Sequence, residues 1–263
     1  MSSNLAEYGV LGVGAIAAAI VTGLVDGVED PPDVLLSPRG AATASRLAGR
    51  YGSVSVAADN QAVLDGAEVV LVCLRAQDAA LLADLTWRPD HVVVSAMPGA
   101  GIGGLRDLVA PATAVARAIA MPALATRSTT TTVHPPLPAV RELFDRLGGT
   151  VGIDDEDAFT ALYTGSAMVA PLFAFLATYA EWMVSHGVPV EVANRQVAAV
   201  AADAMPGPDA VATVGFEELA KEHATPGGVN EQITALMREA GVFEEVARAV
   251  ETVHERLTAP RSA

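Results

Sequence analysis

Apolar and polar positions alternate in two different ways along the chain, and the change comes near residue 152. Before that point, short apolar runs alternate with stretches whose apolar positions recur at helical spacing. This alternation is typical of parallel strands joined by right-handed helical crossovers, so we predict a doubly wound parallel sheet of the α/β class. The predicted strands cover residues 8–11, 33–36, 54–57, 68–74, 91–95 and 113–118, and the predicted helices cover 15–26, 41–51, 60–66, 79–85 and 103–109.

After residue 152 the pattern becomes helical and rich in Ala, Leu and Met. The predicted helices cover residues 155–163, 167–186, 191–204, 209–222, 229–239 and 242–257. We therefore expect two domains, an α/β domain at 1–152 and an all-α domain at 153–263. The later helices are apolar over much of their circumference, which predicts that a second copy covers them in a homodimer or a higher oligomer.

Composition narrows the classes of function. A chain of 263 residues with 51% hydrophobic and 18% charged residues can bury a large core, which excludes disorder as its main state. It carries 16 basic and 31 acidic residues, a net charge of −15. Nucleic acids and anionic membrane surfaces are therefore poor partners.

Two uncharged segments could be mistaken for membrane segments. Residues 9–25 lack the basic start of a signal peptide, so we do not expect secretion. Residues 158–180 are long enough to span a bilayer but contain several polar residues and a proline. We interpret them as a helix that is buried by protein rather than by lipid.

Neither the cysteine nor the histidines form a recognisable catalytic or metal-binding motif. Cys73 is the one cysteine, so no intrachain disulfide is possible and a reducing cytoplasm is expected. Its apolar neighbours favour a small buried side chain over a reactive thiol. The five histidines are scattered without a metal-ligand spacing, so no metal site is predicted. No G-x-S-x-G nucleophile motif is present either.

The first chemical motif joins the first predicted strand to the first helix. The segment Gly12-Val13-Gly14-Ala15-Ile16-Ala17, the glycine turn, has the pattern G-x-G-x-x-A. Gly12 permits a tight turn, Gly14 permits the close approach of a diphosphate, and the N–H groups of Ala15 and Ile16 open the helix. The position of this motif at a strand-to-helix turn favours dinucleotide binding over a purely structural role.

The end of the second predicted strand indicates which dinucleotide is bound. A site specific for NAD places Asp or Glu there to accept a hydrogen bond from the ribose 2′-hydroxyl. This chain instead has Ser37-Pro38-Arg39. The Ser37 hydroxyl and the Arg39 guanidinium are donors suited to a 2′-phosphate, so NADPH is the predicted cofactor.

A second anion site is predicted in the helical half. Thr225-Pro226-Gly227-Gly228-Val229-Asn230, the Pro-Gly-Gly turn, precedes a predicted helix. Two glycines at a helix start expose backbone N–H groups, and the helix dipole favours a carboxylate there. Thr225 and Asn230 add groups that could orient a substrate nitrogen. A plain helix cap with a glycine-rich connection accounts for this segment equally well.

These motifs together resemble the pyrroline-5-carboxylate reductase family, whose members reduce a cyclic imine to proline with a nicotinamide cofactor. The resemblance covers nearly the whole chain, and Thr225-Pro226-Gly227-Gly228 is its most specific element because it is similar to the family's Ser-Pro-Gly-Gly loop. It also includes the glycine turn, Ser37-Pro38-Arg39, Asp59-Asn60, the run from Val70 to Asp78, Met121-Pro122 and the run from Asp157 to Leu162.

The resemblance implies a Rossmann domain followed by a helical domain that interlocks with that of a second subunit, with the active site between the cofactor domain and the partner's helices. It adds Asn60, Leu74, Arg75 and Gln77 to the cofactor-binding residues. It further implies that the substrate carboxylate binds the turn formed by Gly227, Gly228 and Val229, and that Asn230 lies where the family has a hydroxyl residue that contacts the imine nitrogen. Asn230 and Thr225 are therefore the candidate catalytic residues.

Two departures from the family pattern bear on the substrate. The family's Met-Pro-Asn-Thr-Pro is Met121-Pro122-Ala123-Leu124-Ala125 here, and its Gly-Ser-Gly-Pro-Ala-Tyr is Thr164-Gly165-Ser166-Ala167-Met168-Val169. We expect an NADPH-dependent reductase of a cyclic imine acid, with 1-pyrroline-5-carboxylate as the first candidate substrate. The alternatives are a paralogue that reduces another cyclic imine or a keto acid, and a non-catalytic nucleotide-binding dimer.

Overall fold

The computed structural model describes residues 5–259, and its internal contacts divide the chain into two compact units. The first unit is Met1–Tyr163 and the second is Thr164–Ala263. This division falls within a helix, Glu156–Ser166, that begins after the domain boundary predicted at residue 152. The predicted boundary itself remains a prediction.

The first unit contains one eight-stranded sheet with the order β3-β2-β1-β4-β5-β6-β7-β8. All neighbouring strands are parallel except β6 and β7, which are antiparallel. The predicted α/β fold class is therefore confirmed. The strands are β1 (Ala6–Leu11), β2 (Val34–Leu36), β3 (Val54–Val56), β4 (Ala67–Val72), β5 (Val92–Ser95), β6 (Ala114–Ile119), β7 (Thr131–His134) and β8 (Thr150–Gly152).

The helices of the first unit lie on both faces of this sheet. One face packs around Val10 and Leu36, and the other around Leu11 and Val72, all nearly inaccessible to solvent. A segment predicted as a helix at 79–85 is instead a 3-10 helix, Ala76–Leu82. The α-helices are α1 (Ala15–Val25), α2 (Ala41–Arg50), α3 (Asn60–Asp65), α4 (Ile102–Leu108), α5 (Pro138–Asp145) and α6 (Glu156–Ser166).

The end of the sheet differs from the sequence-based expectation. No element was predicted between residues 119 and 152, and this was wrong, because β7, α5 and β8 lie there. The two strands have four and three residues, too short to show a periodic pattern. Prolines at 135, 136 and 138 also suggested a loop rather than a strand followed by a helix that begins at a proline.

A buried ion pair attaches α6 to the sheet. The guanidinium of Arg117 on β6 is 5% exposed, and its Nη1 lies 3.1 Å from Glu156 Oε1 and 3.1 Å from Thr160 Oγ1. The Ile102 N–H donates to the same Glu156 oxygen over 2.7 Å. Because an unpaired buried charge is costly, these contacts fix the start of α6 against β6 and α4.

His91, which precedes β5, is completely buried and neutral. Its Nδ1 accepts the Arg88 N–H over 3.0 Å, so its Nε2 carries the proton and donates to the Leu64 carbonyl over 3.0 Å. Burial lowers the pKa of His91, because charging the imidazole inside the protein loses hydration. Protonation of Nδ1 also removes the acceptor for the Arg88 N–H.

We expect acid to destabilise the fold through His91. A histidine whose pKa is lower in the folded than in the unfolded chain stabilises the fold above its unfolded pKa, about 6.5. That contribution is lost as the pH falls below this value towards the folded pKa. Urea unfolding across this range measures the loss, and His91→Gln should show a smaller pH dependence. An equal dependence in both proteins would exclude His91 as the cause.

The second unit contains the remaining helices. A single helix was predicted at 209–222, but the structure breaks it at Gly215, whose φ of 84° and ψ of 149° lie outside helical geometry. The predicted continuous helix was therefore wrong. The helices are α7 (Val169–Ser185), α8 (Val190–Ala204), α9 (Pro208–Val214), α10 (Phe216–Glu222), α11 (Val229–Glu239) and α12 (Val242–Thr258).

The helices of the second unit leave much of their apolar surface exposed. The Phe173 side chain on α7 is 66% exposed and Trp182 is 61% exposed. The helical run Glu156–Ser185 is long and apolar enough, by length and composition, to cross a membrane, and 17% of its most apolar window is buried inside the chain. Such a surface indicates a covering partner, since monomeric proteins rarely expose large contiguous apolar patches.

Candidate functional site

The strand order creates a crevice at the carboxyl edge of the sheet. β1 lies between β2 and β4. The connection that leaves β1 runs to β2, whereas the connection that leaves β4 runs in the opposite direction, to β5. In doubly wound folds ligands bind at this reversal point, just beyond the carboxyl ends of the strands. The predicted cofactor-binding residues follow β1, β2 and β4 or begin α3, so the fold brings their segments to one edge of the sheet.

The glycine turn has the geometry that a diphosphate site requires. Gly12 has a φ of 85°, and a Cβ there would lie 2.8 Å from Leu74 Cδ2 and 3.0 Å from the Cys73 carbonyl oxygen. A Cβ on Gly14 would meet no heavy atom within 4 Å, so the space above the turn is open. Helix α1 begins at Ala15 and has no acidic residue in its first turn. The turn therefore fits a bound diphosphate.

The segment after β2 is fixed by hydrogen bonds to its neighbours. The buried Ser37 hydroxyl donates to Asn60 Oδ1 over 2.7 Å and accepts the Arg39 N–H over 3.1 Å. The Arg39 carbonyl accepts the Val13 N–H of the glycine turn over 3.2 Å. We infer that Ser37 positions Arg39 rather than donates to a phosphate, because the Ser37 proton is already used, whereas the side-chain nitrogen of Asn60 can still donate to the cofactor.

Arg39 has a partner that the sequence did not indicate. Its Nη2 lies 2.9 Å from Asp78 Oδ2, and the two side chains are 47% and 22% exposed. Asp78 follows β4, whereas Arg39 follows β2, so the sheet brings together residues that are distant in the chain. The acid that binds the ribose in NAD-specific domains lies at the end of β2. Asp78 follows a different strand, so it could have been found only from the strand order.

The residues that follow β4 pack against the glycine turn. Leu74 is buried under Gly12, while Arg75 and Gln77 are exposed at the start of the 3-10 helix. The Cys73 N–H donates to the Leu11 carbonyl over 2.8 Å. Burial raises the pKa of the Cys73 thiol to about 12, so it stays protonated at neutral pH, consistent with a packing role.

The Pro-Gly-Gly turn lies immediately before α11 in the second unit. Gly227 has a φ of 73°, and Gly228 is the N-cap of the helix. The Gly228 N–H donates to the Thr225 carbonyl over 2.8 Å, and the Gly227 N–H donates to Glu231 Oε2 over 2.7 Å. Two predicted substrate donors are therefore already used within the turn. Val229 supplies the first helical N–H, which has no acceptor inside the helix.

Asn230 retains one polar atom for a ligand. Its side-chain nitrogen donates to the His223 carbonyl over 3.0 Å, which fixes the orientation of the amide. The side-chain oxygen is thereby the atom of Asn230 that can accept a hydrogen bond from a ligand nitrogen. The turn thus combines an N–H donor at Val229 with a nearby acceptor, a pattern that suits an acid with a protonated nitrogen. Within residues 5–259, no group of three or more His, Cys, Asp or Glu could hold a metal ion.

Two protein-family models match different parts of the chain. Residues 7–99 match the family described as NADP oxidoreductase, coenzyme F420-dependent. Residues 154–259 match the family described as pyrroline-5-carboxylate reductase dimerisation. The first match contains the glycine turn and Arg39, and the second contains the Pro-Gly-Gly turn.

Known proteins of similar sequence or structure carry the corresponding name. A pyrroline-5-carboxylate reductase from Corynebacterium melassecola is 28% identical over 203 residues, which are 71% of this chain and 73% of that protein. The 1-pyrroline-5-carboxylate reductase structure from Streptococcus pyogenes has a TM-score of 0.77 at 22% identity, covering 97% of this chain and 99% of that one. The Plasmodium falciparum pyrroline carboxylate reductase structure with NADP bound has a TM-score of 0.77 at 14% identity, covering 97% and 98%.

Proposed function

We propose that this chain is a member of the pyrroline-5-carboxylate reductase family and that it uses NADPH to reduce the cyclic imine acid 1-pyrroline-5-carboxylate to proline. The observation that supports this proposal is that two helices of one chain begin at glycine-containing turns of different geometry. One is the open glycine turn before α1, and the other is the Pro-Gly-Gly turn before α11. The first suits a diphosphate and the second a small carboxylate.

We assign the first unit to the cofactor. The N–H groups of Gly14, Ala15 and Ile16 hold the diphosphate, and Arg39 holds the 2′-phosphate. Leu74 keeps Gly12 in its turn conformation by packing against it. Arg75 and Gln77, both exposed after β4, remain assigned to the cofactor as predicted from the sequence. NADPH supplies the hydride when it is bound.

We assign the start of α11 to the substrate. The Val229 N–H binds the carboxylate, which the helix dipole also favours. In this substrate the carboxylate is attached to the carbon next to the imine nitrogen, so both groups can reach one turn. The Asn230 oxygen then accepts a hydrogen bond from the protonated imine nitrogen and orients the ring. Thr225 fixes the turn through its carbonyl.

The reaction needs no side chain that donates or removes a proton. The imine carbon of a protonated cyclic imine is electrophilic and gains the hydride with its electron pair. The carbon–nitrogen double bond becomes a single bond, and the nitrogen keeps its proton as an amine. The protein contributes by holding the carboxylate and the ring nitrogen in place, because positioning lowers the entropic part of the barrier.

The homodimer and the cytoplasmic location belong to the same proposal. An open apolar groove of about 470 Å³ lies in the second unit, lined by residues that include Met168, Leu172, Phe175 and Phe243. We propose that a second copy covers this groove and the exposed face of α7, consistent with the match to a dimerisation family. A protein that covers its apolar helices in this way needs no membrane, and the single reduced cysteine suits the cytoplasm.

A panel of candidate substrates tests the proposed activity. The panel contains 1-pyrroline-5-carboxylate, its six-membered homologue, the five-membered imine without a carboxylate, and a 2-keto acid. The readout is NADPH oxidation together with identification of the product. We expect the highest kcat/KM for 1-pyrroline-5-carboxylate, with proline as the product. A preference for the keto acid would favour the paralogue, and tight NADPH binding without any turnover would favour a non-catalytic dimer.

Replacing Arg39 should separate the two nicotinamide cofactors. We expect Arg39→Ala to weaken NADPH binding by about 1.5–3 kcal/mol, the usual loss for a hydrogen bond to a charged group. NADH lacks the 2′-phosphate, so its affinity should change little. Calorimetric titration with both nucleotides measures the difference, and Arg46→Ala on α2 serves as a control for the loss of one positive charge. An equal loss for NADPH and NADH would contradict the assignment of Arg39.

A further inference from the structure

An acidic side chain lies directly beside the cation that we assign to the 2′-phosphate. Arg39 Nη2 and Asp78 Oδ2 are 2.9 Å apart, and the Asp78 side chain is 22% exposed. Partial burial reduces the screening of this carboxylate by solvent. Asp78 is therefore a fixed negative charge at the adenosine end of the cofactor crevice.

This charge acts on any phosphate that Arg39 binds. A guanidinium has five N–H donors, so it can hold a phosphate on one edge while Asp78 stays on another. A carboxylate and a phosphate that share one guanidinium lie roughly 5 to 6 Å apart. A phosphate monoester carries a charge of about −1.5 to −2 at neutral pH, so the two groups repel each other.

The same carboxylate can act favourably on the cofactor that lacks the phosphate. In NAD-specific doubly wound domains, an acid at the end of the second strand accepts a hydrogen bond from the ribose 2′-hydroxyl. The residues after β2 provide none, since they are Ser37, Pro38 and Arg39. The strand order instead brings an acid to this place from the connection that follows β4, which lies on the other side of β1 from β2.

We propose that Asp78 sets the balance between the two nicotinamide cofactors, weakening NADPH binding by repelling its 2′-phosphate and strengthening NADH binding by accepting a hydrogen bond from its ribose 2′-hydroxyl. The chain consequently discriminates less strongly between NADPH and NADH than Arg39 alone would dictate. This inference rests on the proposed place of the cofactor in the first unit, but it is independent of which imine is reduced.

Calorimetric titration of the full chain with NADPH, NADH and adenosine 2′,5′-diphosphate tests the proposal. The variant is Asp78→Asn, which removes the charge and keeps the shape. We expect NADPH and adenosine 2′,5′-diphosphate to bind about three- to tenfold more tightly, as expected for removing a partly screened charge at this distance. NADH should bind about threefold more weakly, because the asparagine oxygen still accepts the hydrogen bond of the ribose hydroxyl but lacks the charge that strengthens it.

Asp84→Asn is the matched control, because Asp84 is an exposed aspartate on the same connection and its replacement changes the net charge equally. It should leave all three affinities unchanged. The proposal is overturned if Asp78→Asn weakens NADPH binding, because Asp78 then only positions Arg39. It is also overturned if Asp78→Asn shifts NADPH and NADH equally, or if Asp84→Asn has the same effect. If the proposed reductase activity failed instead, no imine would be reduced, but the three nucleotide affinities would still change as expected here.

Discussion

Replacement of Gly14 by valine should abolish detectable NADPH binding while the chain still folds. Gly14 has φ and ψ angles of −94° and −162°, which any residue can adopt, and a Cβ there would meet no heavy atom within 4 Å. A side chain at this position would instead occupy the space that a diphosphate needs. Losing two charge-assisted hydrogen bonds of about 1.5–3 kcal/mol each corresponds to a loss of at least about 100-fold in affinity.

Calorimetry and thermal unfolding together measure this effect. Gly14→Ala should give a smaller loss than Gly14→Val, because its side chain fills less of the space. Gly103→Ala is the control, since a Cβ on Gly103 of α4 would also meet no heavy atom within 4 Å. Gly12→Ala is a poor test, because crowding by Leu74 would disturb the fold itself. Wild-type affinity in folded Gly14→Val would show that the diphosphate binds elsewhere.

Replacement of Val229 by proline should selectively impair substrates that carry a carboxylate. Proline is well tolerated at the first position of a helix, where it removes an N–H that has no partner inside the helix. Gly228 has φ and ψ angles of −85° and 165°, the extended conformation favoured before proline, and the Val229 side chain is 72% exposed. We expect kcat/KM for 1-pyrroline-5-carboxylate to fall by about 10- to 100-fold, equivalent to one hydrogen bond to a charged group.

Val229→Ala provides the matched control, because it shortens the side chain but keeps the backbone N–H. Its kcat/KM should stay near that of the wild type. The five-membered imine without a carboxylate gives a second comparison. Val229→Pro and the wild type should reduce it with the same kcat/KM. If Val229→Pro folds and reduces the carboxylated imine normally, the substrate carboxylate does not bind the start of α11.

The sequence predicted the central part of the fold because its strands are regular. Strands β1, β4 and β6 have six residues each, most of them apolar, and they are separated by helices with clear spacing. The antiparallel end of the sheet was missed because β7 and β8 are short and break the strand–helix alternation. The break at Gly215 was missed because one glycine within a helical pattern is compatible with a continuous helix.

The candidate site could be predicted only where its residues are close in sequence. The glycine turn and the Pro-Gly-Gly turn are contiguous motifs, so their positions at helix starts were expected and are found. The contact between Arg39 and Asp78 depends on the order of the strands, which the alternation alone does not specify. The bonds that occupy Ser37 and the Gly227 N–H depend on side-chain conformations that a motif does not contain.

Transfer of deuterium from labelled cofactor tests the proposed reaction most directly. The wild-type chain would be incubated with 1-pyrroline-5-carboxylate and NADPH that carries deuterium at the transferable C4 position of the nicotinamide. We expect each proline formed to carry one deuterium at the former imine carbon, with one NADPH oxidised per proline. Oxidation of NADPH without deuterium in proline, or no proline from a chain that binds NADPH, would contradict the proposed imine reduction.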